Sequence, residues 1–351
     1  MKLYKAWGNI APYFSHHYAP TDSKSYYTSS LLKRFVFFVC FLVCGQFALA
    51  QPSGFVEEQI GSDWNAAVGL TFSKDGNTLF VWEKAGKVWL VENGQKLPNP
   101  LIDISDEVGN WGDHGLLGFA LDPNFESNGH FYLLYVVDRH HLMHFGKGSY
   151  NRSTDDYFDA TIGRVTRYTA PNRKTADMNS RKVLLGETPA TGIPVTYESH
   201  GVGTLMFGED GSLLISTGDA ATAGWLDKGY DPNQPNDTYV PQALQDGILT
   251  PKEDVGAFRS QQVQSLSGKI LRIDPNTGAG LPSNPFYNSS NPNAHESKVW
   301  ALGLRNPFRF TVRPGSGSSN FPGVIYVGDS GWQDWEEVNV VTQKGMNFGW
   351  P

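Results

Sequence analysis

Cysteine is nearly absent from this 351-residue chain: the two present, Cys40 and Cys44, both lie within the first fifty residues. A chain that begins beyond them holds no disulfide, so packing or a bound metal has to supply its stability. Cys44 follows Phe41-Leu42-Val43, with no small residue before it, and so makes a poor lipoprotein signal. There is no HExxH, no GxSxG and no P-loop, and the lack of a Rossmann fingerprint counts against a nicotinamide enzyme. Cationic excess is missing too. The formal charge is −7, which argues against a nucleic-acid surface. The 38 glycines and 21 prolines follow no collagen-like period, and 13 % aromatic residues is too many for a disordered chain. What is left is a composition suited to many short strands joined by turns. The length suffices for a large core or two domains.

The first fifty residues form a segment of their own. Lys33-Arg34 precedes FVFFVCFLVCGQFALA, which ends in Ala48-Leu49-Ala50. A basic region, an apolar core and small residues before the cut describe a secretory signal peptide, cleaved before Gln51. An uncleaved membrane anchor is the competing reading. The polar residues upstream are long for a signal peptide, as an upstream start codon would explain. Residues 1–50 carry five basic residues and one acidic one, so their removal takes −7 to −11. The expected division is therefore residues 1–50 as extension and signal, and 51–351 as the folded domain, secreted or periplasmic with no remaining membrane span.

Beyond Gln51 one grammar repeats. AAVGLTFSKDGNTLFVWEKAGKVWLV (residues 66–91), GLLGFALDPNF with HFYLLYVVD, GTLMFGEDGSLLIST and GLRNPFRFTVRPG each set apolar runs around a Gly, Asp or Pro turn. Phe72, Phe119, Phe207 and Phe310 hold comparable places in the four modules. Repeated short antiparallel units predict an all-β chain, a β-propeller with about four blades present, in an open arc. A β-sandwich is the alternative. Two long insertions interrupt the pattern. RHHLMHFGKGSYNRSTDDYFDA reads as a mobile loop, although His140 and His144 would stand i,i+4 on a helix and could then hold a metal. Residues 224–264 are too long for a connector and read as a rim or lid.

Three constellations could carry chemistry. In ESHGVGTLMFGEDGSLLISTGDAA, His200 precedes one strand of a hairpin and Asp219 follows the other, so both stand at one rim. Imidazole is the side chain that exchanges protons near neutral pH, and a carboxylate beside it can orient it or bind a cation. A purely structural histidine is the competing reading. Arg305-Asn306-Pro307 offers a planar guanidinium for carboxylates or an anionic ring, or else simply a turn pinned by arginine. Gly328-Asp329-Ser330-Gly331-Trp332-Gln333-Asp334 suits a hard cation, but it lacks EF-hand spacing and a plain surface turn would look the same.

DHGLLGFALDPNF, SHGVGTLMFGEDGSLLISTGD, LSGKILRIDP, GLRNPFRF, DSGWQDWEEVN and NFGWP occur in that order. From Asn65 to Pro351 the chain resembles the glucose/sorbosone dehydrogenase family, the soluble quinoprotein aldose dehydrogenases. The resemblance implies a six-bladed propeller that binds pyrroloquinoline quinone and calcium, oxidises an aldose at C1 and passes electrons to an external acceptor. It implies His200 as general base, Asp113 on the substrate side, and Arg305 and Asn306 against the quinone. Gly331 and Trp332 would hold calcium through their carbonyls. Trp332 departs from the family in its side chain. Family members continue past NFGWP into blades that supply a lysine and arginines to the cofactor, and those residues have no counterpart here. The family also resembles domains of the hedgehog-interacting type, so a non-catalytic extracellular propeller that binds a glycan or protein partner is the alternative.

Overall fold

In the computed structural model, residues 55–233, 239–333 and 335–351 are described. The signal segment, both cysteines, Gln51 and Asp334 lie outside them. Four antiparallel sheets follow one another along the chain from Ile60 onward. The first holds β1 (Ala67–Phe72), β2 (Thr78–Glu83), β3 (Lys87–Glu92), β4 (Gln95–Lys96) and β5 (Ile102–Asp103). In the second, β6 (Leu116–Leu121) and β7 (His130–Val136) lead to β8 (Thr161–Thr169), which pairs with both β9 (Asp177–Leu185) and β10 (Ile193–Val195). The third runs β11 (Val202–Phe207), β12 (Leu213–Thr217), β13 (Lys269–Ile273) and β14 (Val299–Leu302). The fourth is β15 (Arg309–Val312), β16 (Ile325–Asp329) and β17 (Glu337–Val341).

These are four propeller blades, as the repeat predicts. β6 packs against β1 and β11, and β11 packs against β15. Residues of all four strands line a common axial cavity, so they are the innermost strands. Apolar side chains fill the spaces between blades. Phe80, Phe119 and Phe131 lie between the first and second, Leu134, Leu205 and Ile215 between the second and third, and Leu214, Trp300 and Val327 between the third and fourth. Each such side chain contributes about 1.5–3 kcal/mol by leaving water.

Strand period then positions polar groups. In β16, Ile325, Val327 and Asp329 are buried while Tyr326 and Gly328 are exposed. A period of two thus turns the Asp329 carboxylate inward, at the end of the strand.

Three expectations need correction. The four phenylalanines all lie on innermost strands, but Phe72 and Phe207 end theirs whereas Phe119 and Phe310 do not, and Phe72 is 55 % exposed. The histidine-bearing insertion is not simply a loop. Arg139–His144 is helical, and the side chain of Asp138 accepts the His141 N–H at its start (3.2 Å). His140 and His141 are buried; His140 Nε2 accepts the Asn151 N–H, and its ring stacks on His144. Among the described residues no group of three or more His, Cys, Asp or Glu could hold a metal. The long insertion is more than a rim. It contains a helix, Tyr239–Gln245, and a 3-10 segment, Gly256–Gln261, that sends Arg259 into the core.

Candidate functional site

Val202 pairs with Thr217, so residues two before β11 and two after β12 emerge side by side. His200 and Asp219 occupy those places. His200 adopts φ +57°, a left-handed conformation that costs a non-glycine residue on the order of 1–3 kcal/mol. Cross-braces hold it there: Gly218 N–H donates to Gly201 O (2.8 Å), and Ala220 N–H donates to His200 O (3.1 Å). The result is a bond of 2.9 Å between His200 Nδ1 and Asp219 Oδ1. A carboxylate only accepts, so a ring hydrogen sits on Nδ1, and in the neutral ring Nε2 then keeps its lone pair.

Asp219 is fully buried and further satisfied. Ala221 N–H reaches Oδ1 (2.9 Å) and Trp350 Nε1–H reaches Oδ2 (2.7 Å). Its main-chain N–H donates to Arg305 O (2.8 Å), and Arg259 Nε donates to its carbonyl (3.2 Å). A carboxylate so held cannot swing away from the imidazole.

His200 opens on a cavity of about 350 Å³ whose lining includes Lys84, Asp113, Asn306 and Ser330. Asp113 is exposed, and its N–H donates to Glu198 O (2.9 Å). Three predicted positions, His200, Asp113 and Asn306, therefore meet in one space although they come from three different blades. Asn306 and Arg305 are anchored by Asp329, which accepts their main-chain N–H groups at 2.6 and 3.0 Å. Burial, followed by repulsion from Glu337 and Asp219, pushes the Asp329 carboxyl up to about 6 against those two hydrogen bonds.

Arg305 is not among the cavity-lining residues. Its guanidinium lies behind Ser330, where Nη1 donates to the carbonyls of Ser330 (3.1 Å) and Gly331 (3.2 Å), and it sits 5.4 Å from the Trp350 ring. Gly331 and Trp332 continue that loop. The Trp332 ring is 40 % exposed and meets Trp350 edge-on at 6.2 Å. The guanidinium thus pins the turn through the Ser330 and Gly331 carbonyls.

Lys84, His114, Arg259 and Trp350 were not singled out from the sequence. His114 and Trp350 do stand inside quoted motifs, DHGLLGF and NFGWP. Nothing in the spacing marks Lys84 or Arg259.

The sequence profile of the glucose/sorbosone dehydrogenase family matches residues 64–351. The chain is 27 % identical over 341 residues to the HIPL2 protein of Arabidopsis thaliana, covering 85 % of this chain and 42 % of that protein. It is 26 % identical over 314 residues to quinoprotein glucose dehydrogenase B of Acinetobacter calcoaceticus, covering 88 % and 55 %. Against the Hedgehog-interacting protein of Homo sapiens the identity is 26 % over 272 residues, covering 74 % and 32 %. The chain thus spans about half the length, or less, of these relatives. The solved PQQ-bound aldose sugar dehydrogenase of Streptomyces coelicolor shares the fold, with a TM-score of 0.54 at 22 % identity over 86 % of this chain and 68 % of that one.

Proposed function

Because the chain belongs to the glucose/sorbosone dehydrogenase family, we propose that it oxidises the C1 hydroxyl of an aldose to the lactone, with pyrroloquinoline quinone as hydride acceptor. The observation that carries this reading is the His200–Asp219 pair, beside a cavity that His200, Asp113 and Asn306 line together. His200 Nε2 takes the proton from the C1 hydroxyl. Asp219 keeps the ring in that tautomer and stabilises the imidazolium that results. Asp113 accepts hydrogen bonds from sugar hydroxyls and fixes which carbon faces the base. When bound, the quinone would supply the electrophilic hydride acceptor, and calcium would supply a Lewis acid.

The residues present suit both groups. Lys84 lines the cavity and provides positive charge for an acidic quinone, and Asn306 beside it provides a donor and an acceptor, whereas Arg305 would first have to leave the Ser330 and Gly331 carbonyls. The main-chain carbonyls of Gly331 and Trp332 would hold calcium. With no carboxylate cluster among the described residues, calcium binding by the protein alone is expected to be weak. Calorimetry checks this; tight binding without quinone that disappears in Asp329→Ala would point to a side-chain site instead.

A second reading has its own support in the similarity to the Hedgehog-interacting protein. In it the propeller binds a glycan or protein partner and turns nothing over. The full chain, supplied with quinone, calcium, an aldose and an acceptor dye, separates the two. Dye reduction that stops on chelation and returns with calcium is the expected result; no quinone uptake, with retention of a glycan or protein, would establish the second reading. In either reading the protein is expected outside the cytoplasm, on the strength of the signal-like segment before Gln51. No helix among the described residues is long and apolar enough to cross a membrane. The mature chain is expected to start at Gln51, and N-terminal sequencing that finds Met1 on a cytoplasmic species would overturn this.

A further inference from the structure

The segment Trp111–His114, which leads into β6, is fastened onto residues 197–201, which lead into β11. His114 is fully buried, and its Nε2 lies 2.7 Å from Tyr197 O. A carbonyl only accepts, so the hydrogen is on Nε2 and Nδ1 carries a bare lone pair. Nδ1 has no hydrogen-bond partner. It faces Gly201 instead: a Cβ there would stand 2.9 Å from it. On its other side the ring meets Trp111 edge-on at 4.6 Å. One residue along, Gly112 (φ +48°) passes so close to Glu198 that a Cβ would come within 2.3 Å of its carbonyl oxygen. Asp113 N–H donates to that same oxygen (2.9 Å).

The two loops therefore interlock on both sides of His200, whose left-handed backbone needs outside support. A buried imidazole with one unsatisfied nitrogen is a cost to the fold. Phenylalanine would fill the same volume without it. Phenylalanine could not, however, hold the Tyr197 carbonyl.

We infer that His114 is a positioning residue: by holding the Tyr197 carbonyl and backing Gly201, it keeps residues 197–201 in the arrangement that brings His200 Nδ1 to Asp219. Burial, and after it the nearby charge of Lys84, holds His114 down to about 4 against the Tyr197 hydrogen bond, so it stays neutral in ordinary buffers. The charged or titratable groups around it are Lys84 on the β2–β3 side, Asp113 on its own segment, and Glu198 and His200 on the facing loop. That His200 acts as a base rests on the function proposed above; the positional claim does not.

The test reads the imidazole directly. Nitrogen NMR on the full chain should show His200 as the Nδ1–H tautomer. In His114→Phe that signature should give way to a mixed one and kcat should fall by about 10²-fold, the scale of a misplacement near 1 Å, with quinone affinity unchanged. Glutamine can return a donor toward Tyr197, so His114→Gln should restore the tautomer and bring kcat back to within about tenfold. Gly201→Ala should disturb the same tautomer in the presence of His114 but add little in a His114→Ala background, because the ring it strikes is gone. An unchanged His200 spectrum in a folded His114→Phe protein would overturn the inference, as would additive effects of Gly201→Ala and His114→Ala. If the wild type reduces no dye, the proposed function fails while the spectra still decide the role of His114.

Discussion

His200→Asn is expected to lower aldose-dependent dye reduction by ~10²–10⁴-fold, the range for loss of a general base, while leaving quinone uptake intact. Asparagine is the informative replacement. It tolerates a left-handed backbone better than most residues, so φ +57° can be kept. Its amide can donate to Asp219 much as Nδ1–H does, which preserves the network that Trp350 and Ala221 build around that carboxylate. What asparagine lacks is a second nitrogen with a lone pair on the cavity side. The loss should therefore fall on kcat rather than on the KM for the sugar, the pattern of an interaction used in the transition state. Steady-state kinetics on the reconstituted protein, with quinone binding followed separately, checks this. A variant that keeps more than about a tenth of kcat would remove His200 from the role of base.

Glu107→Gln should destabilise the fold by about 3–5 kcal/mol, the scale for breaking a buried ion pair. Glu107 is 5 % exposed, and its Oε1 accepts from Arg164 (2.7 Å), from Arg181 (2.7 Å) and from the Tyr135 hydroxyl. Arg164 is itself buried, so neutralising the one carboxylate leaves a guanidinium with no counter-charge in a place water cannot reach. Burial pushes the Glu107 carboxyl up, but the charges of Arg164 and Arg181 outweigh it and hold the group down to about 2. The sign follows. An unfolded glutamate titrates near its ordinary 4.5, so the contribution is complete above that pH and fades as pH falls toward about 2. Urea unfolding should show the loss at neutral pH and a flatter acid slope in the variant. Glu107→Met combined with Arg164→Met should recover part of it, since no buried charge is stranded at that position. A loss under about 1 kcal/mol for Glu107→Gln would mean the cluster is solvated like a surface pair. The effect reaches the site: Glu107 lies in the segment that continues through Gly109 to Asp113 and His114, and Gly109 N–H is tied to Val136 O (2.9 Å).

The propeller was legible in the chain because each blade is assembled from neighbours in sequence. Apolar runs of strand length on either side of an Asp-Gly or Pro turn specify a hairpin by themselves. Val202–Phe207 and Leu213–Thr217 form the two strands of the hairpin that GTLMFGEDGSLLIST marks. The pairing of His200 with Asp219 belongs to the same class. Nineteen residues separate them, but one hairpin carries both, so strand geometry alone returns them to a single rim. The histidine insertion was misread because polar and glycine residues resemble a loop. A single cap at Asp138 and the packing of Leu142 against the core were enough to make its start helical.

What the chain by itself could not determine is the set of contacts made between segments that no hairpin joins. Trp350 reaches Asp219 across 131 positions, Arg259 reaches the Asp219 carbonyl from the long insertion, and Asp329 gathers the main chain of Arg305 and Asn306 from the neighbouring strand. None of these contacts has a periodicity, because each depends on how twisted sheets stack around an axis rather than on how any one of them folds. His114 shows the limit most plainly. In sequence it is one residue of DHGLLGF; in the fold, burial, a carbonyl at 2.7 Å and a missing Cβ at Gly201 make it the support of a residue eighty-six positions away. Local sequence dictates hairpins because neighbouring residues must pair or leave their backbone groups unsatisfied, whereas the chemistry at the rim comes from loops that meet only after the sheets have packed.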